Sequence, residues 1–339
     1  MQQDTTAESR KSDHITLAFQ SQIAHNTIDT RFYYEPLFAA HPAVENADIS
    51  VDFLGKKVAT PMWVSSMTGG TAMARTINRN LAQACSEFGM GMGLGSCRQL
   101  LHSNEHLADF AVRELVGDAP FFANLGIAQL EELITNRQVY KIAELVKKLE
   151  ADGLIIHINP LQEWLQPEGD RYRNTPLETI KTLLDAFQFP IIVKEVGQGM
   201  GIETLRTLYQ LPLAAVDFAA AGGTNFAKIE LLRSSKAYQS LYNAIAHIGH
   251  TADEMVGMSN ALFTELGDKV LVKQVIISGG VRDFLDGYYL TEKINCSAVY
   301  GQASAFLKHA QGNYADLQAY IAAQIEGLHL AKALLKVKK

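Results

Sequence analysis

Short apolar runs recur along the chain at 61–66, 90–95, 120–125, 153–158, 190–195, 214–218, 274–278 and 297–301. Each has strand length and ends at turn-forming or polar residues. Between them lie stretches such as 76–88 and 137–149, where apolar residues return every three or four positions, the spacing of a helix with one buried face. Eight strands alternating with helices predict a parallel α/β sheet that closes as a TIM (β/α)8 barrel. An open doubly wound sheet is the alternative, but the glycines do not gather into one GxGxxG after the first strand. Residues 219–273 exceed one loop and one helix, so an insertion with its own helices, one of them over 236–248, is expected between strands six and seven. Residues 1–60 precede the first strand and are expected to cap one barrel end. No linker, repeat or low-complexity tract divides the chain, which reads as a single domain over 1–339.

A parallel barrel carries its chemistry on the loops after the strands, and polar groups do follow them. Strand one runs into Ser65, Ser66, Met67, Thr68, Gly69 and Gly70, small residues that form a tight turn or let the backbone approach a flat ligand. Strand two has glycine at 89, 91, 93 and 95. Such a bare face needs something bulky against it, either a planar cofactor or a crowding neighbour strand. Ser96, Cys97 and Arg98 follow, and the Arg98 guanidinium suits a phosphate or carboxylate, or a salt bridge.

Asn124 follows strand three, Lys194 with Glu195 strand five, and an AGGT turn ending at Thr224 strand six. A lysine closing an apolar strand needs an anionic partner. Glu195 points to the opposite face, so a ligand anion or another strand's carboxylate is expected. Gly279, Gly280 and Arg282 follow strand seven, and Gly301, Gln302 and Ala303 close strand eight. Glycine loops at these two places point to a phosphorylated cofactor. After strand four come His157, Asn159, Gln162 and Glu163. His157 and Asn159 share a face if the chain stays extended. One carboxylate among amides suits magnesium rather than zinc, and a polar loop with a capped helix is the other reading.

Composition narrows the function classes. The 339 residues are 47% hydrophobic and carry 30 basic against 36 acidic groups, a formal charge of -6 without a long basic block. That gives no footprint for nucleic acid. Cys85, Cys97 and Cys296 form no CxxC pair, which argues against a disulfide framework or zinc site and for a reducing, cytoplasmic setting. The polar start MQQDTTAESRKSDH and the absence of a long apolar run lead us to expect neither export nor a membrane anchor.

The ordered motifs resemble the type 2 isopentenyl-diphosphate isomerases over almost the whole chain. They are RKSDH from Arg10, FLGKK from Phe53, SSMTGGT from Ser65, NRNLA from Asn78, MGLGSCR from Met92, ANLG from Ala123, HINPLQE from His157, QPEGDR from Gln166, VKEVGQGM from Val193, AGGTNFAKIE from Ala221 and SGGVR from Ser278. The resemblance implies a homo-tetrameric or homo-octameric barrel that interconverts isopentenyl and dimethylallyl diphosphate with reduced FMN and Mg2+, and with NADPH as the flavin's reductant. It implies flavin contacts at Ser66, Met67, Thr68, Ser96, Asn124, Lys194 and Thr224, and phosphate contacts at Gly279, Gly280, Arg282, Gln302 and Ala303. Arg10, Lys11, Arg98, His157 and Gln162 would hold the substrate, with Gln162 at the reacting end and Glu163 on the metal. Cys97, the GQASAF loop and NFAKIE depart from the usual family versions. Two competing readings are an FMN-dependent 2-hydroxy-acid oxidase, which needs a histidine base beside an arginine late in the chain, and a flavin-binding protein without catalysis.

Overall fold

The eight apolar runs become eight parallel strands in the computed structural model, which describes residues 6–38, 40–42, 48–66 and 72–338. They are β1 Met62–Val64, β2 Gly91–Gly93, β3 Phe121–Gly126, β4 Gly153–His157, β5 Ile191–Lys194, β6 Ala215–Asp217, β7 Gln274–Ser278 and β8 Ser297–Gln302. β8 pairs with β1 and β6 with β7, so the sheet closes on itself and has no open edge. Buried residues on the inside of the ring include Trp63, Phe122, Ile155, Ile192, Ile276 and Val299. The barrel is therefore a packed core, not a pore.

The glycine-rich strand resolves in favour of a crowding neighbour. A Cβ at Gly91 would lie 2.3 Å from the Trp63 ring, and one at Gly93 would lie 2.5 Å from Ile155 Cδ1. Trp63 and Ile155 fill the space those side chains would need, and the Trp63 ring meets Phe53 and Phe122 at 6.1 Å each.

Phe53 comes from a hairpin, Val51–Phe53 with Lys56–Val58. Its backbone and side chains meet the strand starts: Leu54 N–H donates to Gln274 Oε1 at 2.7 Å, Ser297 Oγ donates to Asp52 O at 2.8 Å, and Lys56 pairs with Asp152 at 2.8 Å. The hairpin thus closes the amino end of the barrel and leaves the carboxyl end for ligands. The remainder of 1–60 behaves differently. The helix Ala7–Leu17 has no buried residue, and Phe32–Tyr34 pairs with the C-terminal strand Leu335–Val337.

Helical periodicity gives its elements with shifted ends. The stretch 76–88 lies inside the helix Ala72–Phe88, whereas 137–149 shortens to Tyr140–Lys148. Arg137 takes a left-handed φ of 56° after the preceding helix, which postpones the next start. Residues 219–273 hold Phe226–Arg233, Lys236–Tyr242 and Ala252–Leu266. The helix expected over 236–248 tightens after Tyr242 into the 3-10 turn Asn243–His247. Phe226–Arg233 packs on the helix Pro160–Leu165 through Leu165, Ala227 and Leu231. Among the described residues no helix is long and apolar enough to cross a membrane.

Candidate active site

Two adjoining cavities open at the carboxyl ends of the strands. The larger, about 410 Å3, is lined by Ser65 and Ser66 after β1, Lys194 on β5, Gly222 to Thr224 after β6, Gly279, Gly280 and Arg282 after β7, and Gln302, Ala303 and Lys308 from β8 onward. The smaller, about 120 Å3, is lined by Ser96, Asn124, His157 and Gln162. Ser66, Lys194, Val196 and Phe226 line both. Met67 and Thr68 lie outside the described residues. Arg10, Lys11, Arg98 and Glu163 line neither cavity.

The walls of the larger cavity are built for close approach. Gly279 has φ 87°, and a Cβ there would fall 2.1 Å from Ala220 O, so glycine alone fits. Ser65 Oγ and Ser66 Oγ are buried without a hydrogen-bond partner among the described residues. Buried hydroxyls are ordinarily satisfied, so these two await a ligand or water. The Gln302 side chain accepts from Tyr320 OH at 3.0 Å and donates to Val281 O at 3.4 Å. The Arg282 guanidinium grips Asp286 through Nε at 2.8 Å, and Asp286 also pairs with Arg31.

Lys194 lies between the cavities, and its Nζ donates to Glu195 O at 2.8 Å. Oε2 of the Glu195 carboxylate accepts from Gly197, Gln198 and Gly199 N–H at 2.6, 2.7 and 3.0 Å, which shapes the loop after β5, and the charge of Lys194 also acts on this carboxylate. Asp217, the register partner of Lys194 on β6, is a second carboxylate on which that charge acts. A carboxylate on another strand is one of the two partners that the sequence leaves open for Lys194, a ligand anion being the other.

The wall of the smaller cavity is ordered by a chain of amides. Asn124 Nδ2 donates to Leu94 O at 2.9 Å, which turns its Oδ1 toward His157 Nδ1 at 2.7 Å. His157 therefore carries its proton on Nδ1 and keeps the Nε2 lone pair for other partners. Burial, and then the charge of Lys194, hold its pKa down to about 3, so the ring is neutral. Extended geometry ends here, because Asn159 is the N-cap of Pro160–Leu165, and His157 and Asn159 do not continue one strand face. Asn159 Nδ2 instead donates to Gln162 Oε1 at 3.1 Å and Glu163 Oε1 at 2.9 Å. Gln162 Nε2 donates to Glu230 Oε1 at 3.4 Å, which fixes the amide's orientation.

Glu163 is buried, and its second oxygen accepts Asp170 N–H at 2.7 Å. Asp170 in turn holds Arg98 at 2.8 Å and accepts from Gln129 Nε2 at 2.9 Å. The QPEGDR loop is thus a strap fastened to β2 on one side. On the other side Arg233 bridges Glu168 and Glu230. Trp164 stays on the outside of this strap, 60% exposed, with Arg171 stacked over its ring at 4.9 Å. Sequence reasoning missed Asp217, Glu230 and the partners of Asp170. The available signal for Asp217 was a lone acid closing the apolar run of β6.

Comparisons with known proteins follow the same lines. No family model matches the chain. An isopentenyl-diphosphate delta-isomerase from Rickettsia felis is 33% identical over 328 residues, covering 95% of this chain and 90% of its own length. One from Cronobacter sakazakii is 34% identical over 335 residues, covering 97% and 92%. Among solved structures, a mandelate oxidase carrying a monooxide FMN adduct aligns with a TM-score of 0.54 at 12% identity, covering 91% of this chain and 88% of that one. A flavocytochrome b2 with benzoylformate aligns with a TM-score of 0.59 at 16% identity, covering 90% and 75%. At such identities the structures speak for the barrel fold alone, whereas the sequence relatives extend over nearly the full chain. The chain belongs to the type 2 isopentenyl-diphosphate delta-isomerase family.

Proposed function

We propose that the protein interconverts isopentenyl and dimethylallyl diphosphate, with reduced FMN and Mg2+ in the site. The observation that carries this reading is the pair of adjoining cavities: a long glycine-walled one and a small one walled by His157, Gln162, Asn124 and Ser96, meeting at Lys194 and Ser66. The larger suits a planar ring with a phosphate tail. Ser66, Lys194 and Thr224 would hold the ring, and Gly279, Gly280 and Ala303 the phosphate. The Ser65 and Ser66 hydroxyls, buried without hydrogen-bond partners among the described residues, support the fit. Bound and reduced, the flavin supplies an exchangeable ring-nitrogen proton and an electron-rich face that stabilises positive charge on an alkene.

The chain's own residues place the substrate. The diphosphate is the handle, taken by Arg98 and His157 with Arg10 and Lys11 from the N-terminal helix. Its remote binding energy holds an otherwise inert alkene. Gln162, oriented by Asn159 and Glu230, faces the reacting end, but an amide is not basic enough to take a proton unaided. Asn159 Nδ2 donates to both Gln162 Oε1 and Glu163 Oε1, and its Oδ1 is buried without a hydrogen-bond partner among the described residues. One carboxylate among amides suits magnesium that shares its coordination with phosphate and water, with Glu163 as the proposed metal contact.

The competing oxidase reading needs a histidine base. His309 instead stacks on Tyr320 at 4.4 Å and lines neither cavity. NADPH is the proposed source of electrons for the flavin, since the isomerisation has no net redox change. A homo-tetramer or homo-octamer is supported by Ile15, Phe19 and Ile23, exposed by 75%, 83% and 77% around a helix with no buried residue. The three unpaired cysteines suit the cytoplasm. Conversion of isopentenyl diphosphate by the anaerobic protein with reduced FMN and Mg2+ tests the reading.

A further inference from the structure

Asp217 is 0% exposed at the end of β6 and takes no part in the proposed reaction. Its Oδ1 accepts from Ser278 Oγ. That hydroxyl also accepts Ala219 N–H at 3.0 Å, which leaves its own proton for Asp217. Oδ2 has no partner among the described residues. Across β5 and β6 the register sets Asp217 opposite Lys194. Ser278 and Lys194 both line the larger cavity, so Asp217 stands directly behind two of its walls.

A carboxylate inside a barrel persists where an opposite charge balances it. Burial holds the Asp217 carboxyl above its ordinary value, and Lys194, the Ser278 hydroxyl and the Ala219 N–H oppose that rise only in part. A neutral acid there would remove one of the two carboxylate charges that interact with Lys194, the other being Glu195. A packing role would need neither the charge nor a hydroxyl committed to it.

We infer that Asp217 is a positioning residue of the cofactor site: acting behind Lys194 and Ser278, its negative charge sets the potential at the ring-binding wall and thereby the preference for oxidised over reduced flavin. The inference rests on the flavin reading above. Negative charge behind the ring opposes the arrival of electrons, and removing it favours the reduced form.

The test compares wild type with the isosteric Asp217→Asn, measuring FMN affinity by fluorescence and the midpoint potential of bound FMN by spectroelectrochemistry. The expected result is about a tenfold gain in affinity for reduced relative to oxidised FMN, a rise of about 30 mV for a two-electron couple. A ratio unchanged within about threefold, or lower, overturns the inference, even if both affinities fall together as a packing defect would make them. If Asp217→Asn does not fold, Asp217→Ser, smaller and also neutral, reads the same shift. Wild type that binds no FMN overturns the flavin reading and this inference with it, whereas an unchanged ratio in a flavin-binding protein overturns this inference alone.

Discussion

Gln162 sits between two fixed neighbours, with its oxygen toward Asn159 and its nitrogen toward Glu230. Gln162→Ala should keep FMN affinity and lower turnover by about a hundredfold or more, the range for losing a group that places a proton; near-normal turnover removes Gln162 from the chemistry. His157 makes a sharper claim. Its ring is neutral, with Nε2 as an acceptor, so a diphosphate that contacts Nε2 must bring a proton to it. Calorimetry near neutral pH in buffers of different ionisation enthalpy should show uptake of up to about one proton with substrate, lost in His157→Asn. The same ring affects acid stability. Its pKa of about 3 lies below the ordinary 6.5, so the unfolded chain binds the proton more readily between those values. Stability from the neutral ring is present above pH 6.5 and is lost as pH falls toward 3. Denaturant titrations across that window should show a shallower slope for His157→Gln. At this scale the sequence revealed which residue types lie at the mouth, because strand ends expose them. It did not reveal partners: Asp217, Glu230 and Asp170 meet Lys194, Gln162 and Arg98 only after closure brings distant strands and loops together.

The strap from Glu163 to Arg171 is the element that joins the two sides of the mouth. A Cβ on Gly169 would fall 2.0 Å from Glu163 O. Gly169→Ala should therefore spread the loop and raise KM severalfold with FMN occupancy unchanged; an unaltered KM would show that the strap does not shape the substrate site. Glu163→Gln tests the proposed metal contact, and the expected outcome is a higher Mg2+ requirement in an activity titration. The barrel strands were legible because each is buried on both faces and reads as a continuous apolar run. The closing hairpin was not, since three-residue strands carrying Asp52, Lys56 and Lys57 do not stand out by composition. Its importance is measurable: Phe53 is 0% exposed against Trp63, and Phe53→Ala should destabilise the fold by about 3–5 kcal/mol in chemical unfolding.

At the scale of the whole molecule, one end of the barrel is plugged by the Phe53 hairpin and the other carries the two adjoining cavities. The exposed apolar residues near the N-terminus suggest that the same chain finishes its assembly with copies of itself. Light scattering should find a tetramer or octamer, and Phe19→Asp should shift it toward smaller species. Under anaerobic conditions, purified protein with reduced FMN, Mg2+ and isopentenyl diphosphate is expected to form dimethylallyl diphosphate and to stop when the flavin is left oxidised. Bound reduced flavin with no allylic product would contradict it.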